Sequence, residues 1–307
     1  QNNKVAVFEA GGPSDIWKVK MPLALLYTMH DPKYNWQYYS EPEPYLNNRR
    51  LFCPRGKMIG GCSAHNGMVF VRGNRNDYER WENFGLKSWS YDKILPYFKK
   101  IETWSGGENQ YRGSLGLLPV DQSKNNNPLF SAFLKAASEA NHKINLDMNG
   151  EEQEGFGMFD TTIHEGQRAS ATKYYLNPAK KRKNLNIFSN SFVEKIIFEG
   201  KKAIGIEVKI KNKVEKVYAE KEVILSGGSI NSPQLLMLSG IGDVDHLKEK
   251  GINVVNDVKG VGKNLQDHLE TYIMQECKTP DTLYTYTKLI PKVLAGIQWF
   301  LSKSGPC

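Results

Sequence analysis

The run from Asn184 to Leu225 constrains this chain more than any other. Apolar and polar residues alternate there with a period of two, in the segments Asn186–Phe188, Val193–Phe198, Ala203–Lys209, Val214–Ala219 and Glu222–Leu225. Gly or Lys-Asn turns separate the segments, so the run predicts a β-meander. Immediately after it, Ser226-Gly227-Gly228-Ser229 leads into Ser232-Pro233, which read as the N-cap and first-turn proline of a helix. A strand, a Gly-rich turn and a helix N-terminus together favour an anion through backbone N–H groups and the helix dipole.

Elsewhere the pattern changes. Lys4–Glu9 reads as a buried strand entering a turn at Gly11-Gly12, and residues 13–56 as an extended, partly irregular crossing. Ser90 is placed to cap a helix over Tyr91–Lys100 with Ile94, Tyr97 and Phe98 on one face, and a second helix is predicted over Pro128–Ala140. Mixed elements in non-consecutive pieces, within 307 residues, predict two interleaved domains. The most apolar stretch, Leu289–Leu301, is interrupted by Pro291, Lys292 and Gln298, so no transmembrane helix is expected. The net charge of +8 is spread along the chain, and its one dense run, Lys180–Lys183, reads as a solvated loop or helix end rather than a nucleic-acid site. Cys53, Cys62, Cys277 and Cys307 form no CxxC pair and no metal-ligand spacing, which argues against zinc and a disulfide framework. With no Asn-x-Ser/Thr acceptor either, a reducing, intracellular compartment is expected. A start at Gln1 that enters a strand at once, and a stop just after an amphipathic stretch, suggest a chain cut at both ends.

Three glycine-containing clusters carry the candidate chemistry. In Gly56–Met68, small residues at 60, 61 and 63 either let the backbone approach a flat or phosphate-bearing ligand or merely close a tight loop. The Ser226–Pro233 turn is the second. In Gly260–Glu270, His268 lies between Asp267 and Glu270, which is either a cation-holding group near aromatics or an ordinary surface ion cluster.

Together these clusters resemble the glucose–methanol–choline (GMC) family of FAD-dependent alcohol oxidoreductases. Gly56–Glu79 follows the first family signature, with Phe70, Gly73 and Glu79 at its offsets, and Gly228–Gly242 follows the second. Tyr34-Asn35-Trp36 through Glu41-Pro42, Tyr78–Trp81, Asn149-Gly150 with Gln153–Gly157, and Asn264–Glu270 are most similar to the choline-oxidising members.

The resemblance implies an α/β fold in which an FAD-binding Rossmann-like domain (1–123 and 163–269) interleaves with a partial α+β substrate domain (124–162 and 270–307). It implies oxidation of choline to betaine aldehyde by hydride transfer to FAD; the alternatives are another alcohol substrate, sugar or aryl, or a non-catalytic fragment. FAD contacts are expected from Glu9, at the adenosine ribose, and from Arg55, Gly60, Gly61, Ser63, His65, Asn66, Gly67, Met68, Val69, Val193, Gly227, Gly228 and Ser229. His65 replaces a usual aliphatic residue: it is either bonded to the flavin 8α-methyl or a packed histidine with one hydrogen bond. Glu270, with His268, is expected to hold the trimethylammonium head of choline, with Tyr272 as a wall if this segment is a strand. The family's GxGxxG turn would precede Gln1, and its catalytic His with a His or Asn partner would follow Cys307, leaving no catalytic residue inside the chain. The expected partners are choline or a similar small alcohol and a respiratory electron acceptor, with peripheral association at the mitochondrial inner membrane, no nucleic acid and no metal.

Overall fold

The computed structural model of the protein describes residues 3–123, 127–268, 270–278 and 282–306. Gln1 and Cys307, named above, lie outside them. The chain divides into two compact units, Gln1–Gly12 with Asn184–Gln275, and Pro13–Lys183 with Glu276–Cys307. These are units of contact; the division by cofactor and substrate given above is a different one and stays a proposal.

In the first unit, Val5–Phe8 pairs in parallel with Leu185–Phe188, and the Phe8 and Phe188 rings stack at 4.9 Å. The expected meander is shorter than its pattern. Ser191–Glu199, Lys202–Ile210 and Lys213–Tyr218 form an antiparallel three-stranded sheet. Lys211 and Asn212 turn its second hairpin with φ of +47° and +64°, the geometry that matches strand twist in a two-residue loop. Leu185–Phe188 belongs to the parallel pair instead, and Glu222–Leu225 is not a strand, although its composition is that of one. The Gly228–Leu238 helix packs on Ser191–Glu199, where the buried Ser239 hydroxyl accepts from the Ile196 N–H at 2.8 Å. That helix begins at Gly228 with Gly227 as its cap, so Ser232 and Pro233 fall inside it rather than at its start. Proline there forfeits one intrahelical bond, and the positive φ of Gly228 (+82°) supplies the entry instead.

In the second unit, a four-stranded sheet runs in the order Val69–Phe70, Asp160–Thr161, Leu118–Gln122, Glu102–Trp104. Helices Arg75–Asn83, Tyr91–Ile101 and Pro128–Glu139 belong to the same unit. The Asn127 side chain caps the last of these by accepting from the Leu129 N–H, whereas Ser90 sits at the cap position of Tyr91–Ile101 without a side-chain bond. The 13–56 crossing contains short helices at Trp17–Lys20 and Leu25–Met29 and a hairpin, Tyr38–Tyr39 with Phe52–Cys53. Lys180–Lys183 is an exposed turn after a helix. Near the end, Leu289–Ser302 is a helix whose buried Trp299 packs with Met21 and Ala24 and donates from Nε1 to the Gly166 carbonyl at 2.7 Å. Among the described residues no helix is long and apolar enough to cross a membrane. Most important for the site, Val19, Met58 and Ala64 form a buried cluster beneath the Gly56–Val69 loop.

Candidate functional site

The Gly56–Val69 loop is held from below and shaped by its glycines. Met58 and Ala64 are fully buried, so both shoulders of the loop are fixed by apolar packing. Between them the backbone enters the left-handed region at Gly60 (φ +92°) and Gly61 (φ +52°) and folds into one turn of 3₁₀ helix, Gly61–Ala64. A Cβ on Gly60 would lie 2.3 Å from Thr172 Oγ1, and one on Gly56 would lie 2.4 Å from the Gly61 carbonyl oxygen. A Cβ on Gly61 or Gly67 would meet nothing, so the backbone there is open to an approaching ligand. Ser63 ties the turn together: its hydroxyl donates to the Gly60 carbonyl at 2.6 Å and accepts from the Ala171 N–H at 3.0 Å. Beside it lies an apolar recess of about 240 Å³, lined by Gly60, Ala171, Thr172, Tyr175 and Leu176.

The polar groups of the loop are unusual in their partners. His65 is 3% exposed, and its Nδ1 is buried without a hydrogen-bond partner. Burial, then the charges of Arg168 and Arg55, push its pKa down to about 4, so the ring is neutral at neutral pH. Asn66 accepts from the Met68 N–H and from Arg168 Nη1 through its side-chain oxygen, and from the same Nη1 through its backbone carbonyl. Met68 is buried with φ +62°, while Gly67 and Val69 are exposed. Arg55 is half-buried, its backbone N–H bonded to Asn35 Oδ1 at 2.9 Å and its Nη1 to the Pro54 carbonyl.

Arg168 and Thr172 were not legible as site residues. Each sits some hundred positions from the loop; Thr172 donates to the Ile59 carbonyl at 3.0 Å across a separation of 113 residues. Only the small-residue run Ala169-Ser170-Ala171 after the arginine hinted at close packing there.

The remaining predicted positions lie in the first unit. Glu9 follows the Val5–Phe8 strand and accepts from the Gly11 N–H at 2.8 Å through Oε1. Val193 sits at a register shift in its strand, opposite Val208. Gly227, Gly228 and Ser229 form the exposed entry of their helix, with open space at Gly228. His268 is exposed and its N–H bonds Asp267 Oδ1. Residues 270–278 contain no strand, so Tyr272 is not carried beside Glu270 by strand alternation. The two meet nonetheless: the Tyr272 hydroxyl donates to Glu270 Oε2 at 2.7 Å, on an exposed stretch. Among the described residues no group of three or more His, Cys, Asp or Glu is placed to hold a metal ion.

A family model described as GMC oxidoreductase matches residues 6–270. The chain belongs to that family. It is 48% identical over 301 residues to the oxygen-dependent choline dehydrogenase of Brucella ovis, covering 98% of this chain and 55% of that protein. It is 47% identical over 310 residues to the mitochondrial choline dehydrogenase of Homo sapiens, covering 98% of this chain and 52% of that protein. Among solved structures, an FAD-dependent oxidoreductase from Chaetomium thermophilum superposes with a TM-score of 0.84 at 29% identity, over 98% of this chain and 55% of that one. The chain thus spans about half the length of the relatives it matches. The family implies FAD, and the Gly56–Val69 loop fits it: open backbone at Gly61 and Gly67, an apolar recess, and two buried polar atoms without partners, His65 Nδ1 and Arg168 Nη2.

Proposed function

We propose that the parent of this chain oxidises choline to betaine aldehyde. The observation that carries this reading is the 48% identity to a choline dehydrogenase across 98% of the chain. FAD, when bound, supplies the acceptor for the hydride. Gly60, Gly61, Ser63, His65, Asn66, Gly67, Met68 and Val69 hold its ring system with Arg55; Glu9, Val193, Gly227, Gly228 and Ser229 hold the adenosine and phosphate part. His65 is the attachment point for the flavin 8α-methyl, a role that requires the neutral imidazole its burial favours. Acid precipitation of the full-length protein tests the bond: flavin left wholly in the supernatant refutes it.

Glu270, aided by His268 and the Tyr272 ring, binds the trimethylammonium head, which offers no N–H and is held by charge and aromatic faces. Electrons then pass to a respiratory acceptor, with the protein peripheral to the mitochondrial inner membrane. The functional test compares choline with its uncharged isostere 3,3-dimethylbutanol in full-length wild type and Glu270→Gln. Losing the carboxylate costs about 2–4 kcal/mol of choline binding and far less for the isostere. Equal losses would remove Glu270 from the substrate site.

A further inference from the structure

Arg168 is 2% exposed, yet among the described residues no carboxylate pairs with it. Its Nε donates to the Val19 carbonyl at 3.0 Å, and its Nη1 donates to the Asn66 carbonyl at 2.7 Å and to Asn66 Oδ1 at 2.8 Å. Nη2 is buried with no partner at all. A buried cation bonded only by neutral oxygens keeps its charge uncompensated, and one left short of a hydrogen bond is costlier still. Evolution has a cheap remedy, a nearby Asp or Glu, or a neutral residue of the same volume. The structure uses neither.

The position of this charge gives it a use. Val19 and Asn66 are the two sides of the Gly56–Val69 loop's support: Val19 in the apolar cluster under it, Asn66 within it next to His65. The Arg168 charge also opposes protonation of His65, more strongly than that of Arg55. One side chain therefore both sets the course of the loop and leaves a permanent positive charge beneath it.

We infer that Arg168 is a positioning residue for the flavin, fixing the His65–Val69 backbone through Asn66 and holding an unpaired positive charge that favours the negatively charged, reduced form of the cofactor. This rests on the flavin reading of the loop. The group acted on is the reduced, negatively charged ring, and Arg168 acts on it through the loop and through its field.

The test uses the full-length parent. FAD content of the wild type examines the flavin reading itself: no flavin means that reading fails, before Arg168 is at issue. In the flavin-loaded protein, sulfite is the probe, because it adds to oxidised flavin and leaves it negatively charged, so its dissociation constant reports how positive the site is. A merely structural anchor would not move that constant while flavin stays bound. Arg168→Gln is expected to weaken sulfite binding tenfold or more; a smaller change overturns the inference. Arg168→Lys keeps the charge and is expected to stay within threefold of wild type, and a larger change overturns it, so the question is decided even if Arg168→Gln does not fold.

Discussion

Two buried arginines in the same unit are solved in opposite ways. Arg112 is fully buried and meets Glu102, Asp147 and Asp160, with N–O distances of 2.9, 2.6 and 2.7 Å, while its guanidinium carbon stacks 4.2 Å from the Trp104 ring centre. Arg72 adds a second cation to Glu102, its Nη2 donating at 2.7 Å to the same Oε1 that accepts from Arg112 Nε. Burial alone would depress the Arg112 pKa, but hydrogen bonds to Glu102 and Asp160 hold it above the usual value. Arg168 has only neutral acceptors, and burial lowers its pKa to about 10. The Arg112 network ties Glu102–Trp104, Asp160–Thr161 and the Asp147 turn into one polar core, in which each charge has an opposite charge beside it. Arg168 leaves its charge over, beneath the Gly56–Val69 loop.

The largest test of that contrast is Arg112→Met. It strands buried Asp160 without a cation and leaves Glu102 with Arg72 alone, which costs about 3–5 kcal/mol. Urea unfolding of the full-length protein measures it, and a loss under about 1 kcal/mol would dissolve the distinction between the two arginines. Adding Asp160→Asn to that variant should recover part of the loss, because the stranded charge is removed.

Next in size is a pH effect at His65. The unfolded imidazole titrates near 6.5 and the folded one near 4. Between those values the unfolded chain takes up a proton that the folded ring refuses, so stability is intact above pH 6.5 and falls as pH falls towards 4. The whole drop is about 3 kcal/mol, at 1.36 kcal/mol per pKa unit. In FAD-free full-length protein, His65→Gln should lose this component of the acid sensitivity; an unchanged difference between pH 7 and pH 4.5 would mean that His65 is not held neutral by its surroundings.

Why Arg168 escaped the sequence, while the loop above it did not, follows from what each depends on. The glycines of Gly56–Val69 answer to local backbone geometry, and residue type alone marks the run as a tight loop or a close backbone approach, which the φ of +92° at Gly60 then shows in detail. The periodic strands Ser191–Glu199 and Lys202–Ile210 were legible for the same local reason. Glu222–Leu225 was misread because a strand is a pairing as much as a propensity, and this β-branched run has no ladder partner among the described residues. The Ser232-Pro233 start signal lost to a glycine entry four residues earlier. Burial of Arg168 is set by Val19, 149 positions away, and Asn66, 102 away, so no local pattern could announce it. Glu270 and Tyr272 show the converse: proximity in sequence was enough to bring them together without the predicted strand.

Gly60→Ala sharpens the account of the loop itself. Alanine at φ +92° is strained, and its Cβ would press on Thr172 Oγ1, which is the group bonded to the Ile59 carbonyl. The expected loss is about 1–3 kcal/mol, with reduced FAD content in the full-length protein. Gly67→Ala serves as its partner: the space around Gly67 is open in the structure, so stability should change little while FAD binding weakens. A Gly67→Ala protein that binds FAD normally would show that this stretch of backbone does not face the cofactor.

The smallest effect belongs to Tyr272. Its hydroxyl donates to Glu270 Oε2, and that bond, followed by the carboxylate's charge, raises the phenol pKa. Both side chains are exposed, so the bond competes with water and carries little stability, and Tyr272→Phe should leave the unfolding midpoint unchanged. The hydroxyl nevertheless occupies one Glu270 oxygen. If Glu270 is the choline carboxylate, removing that donor leaves it better able to pair with the ammonium head, whereas the ring that remains still offers its face. Tyr272→Phe should therefore hold or slightly lower the Michaelis constant for choline, and Tyr272→Ala should raise it. An increase in both variants would mean that the hydroxyl positions the carboxylate; no change in either would place Tyr272 outside the substrate site.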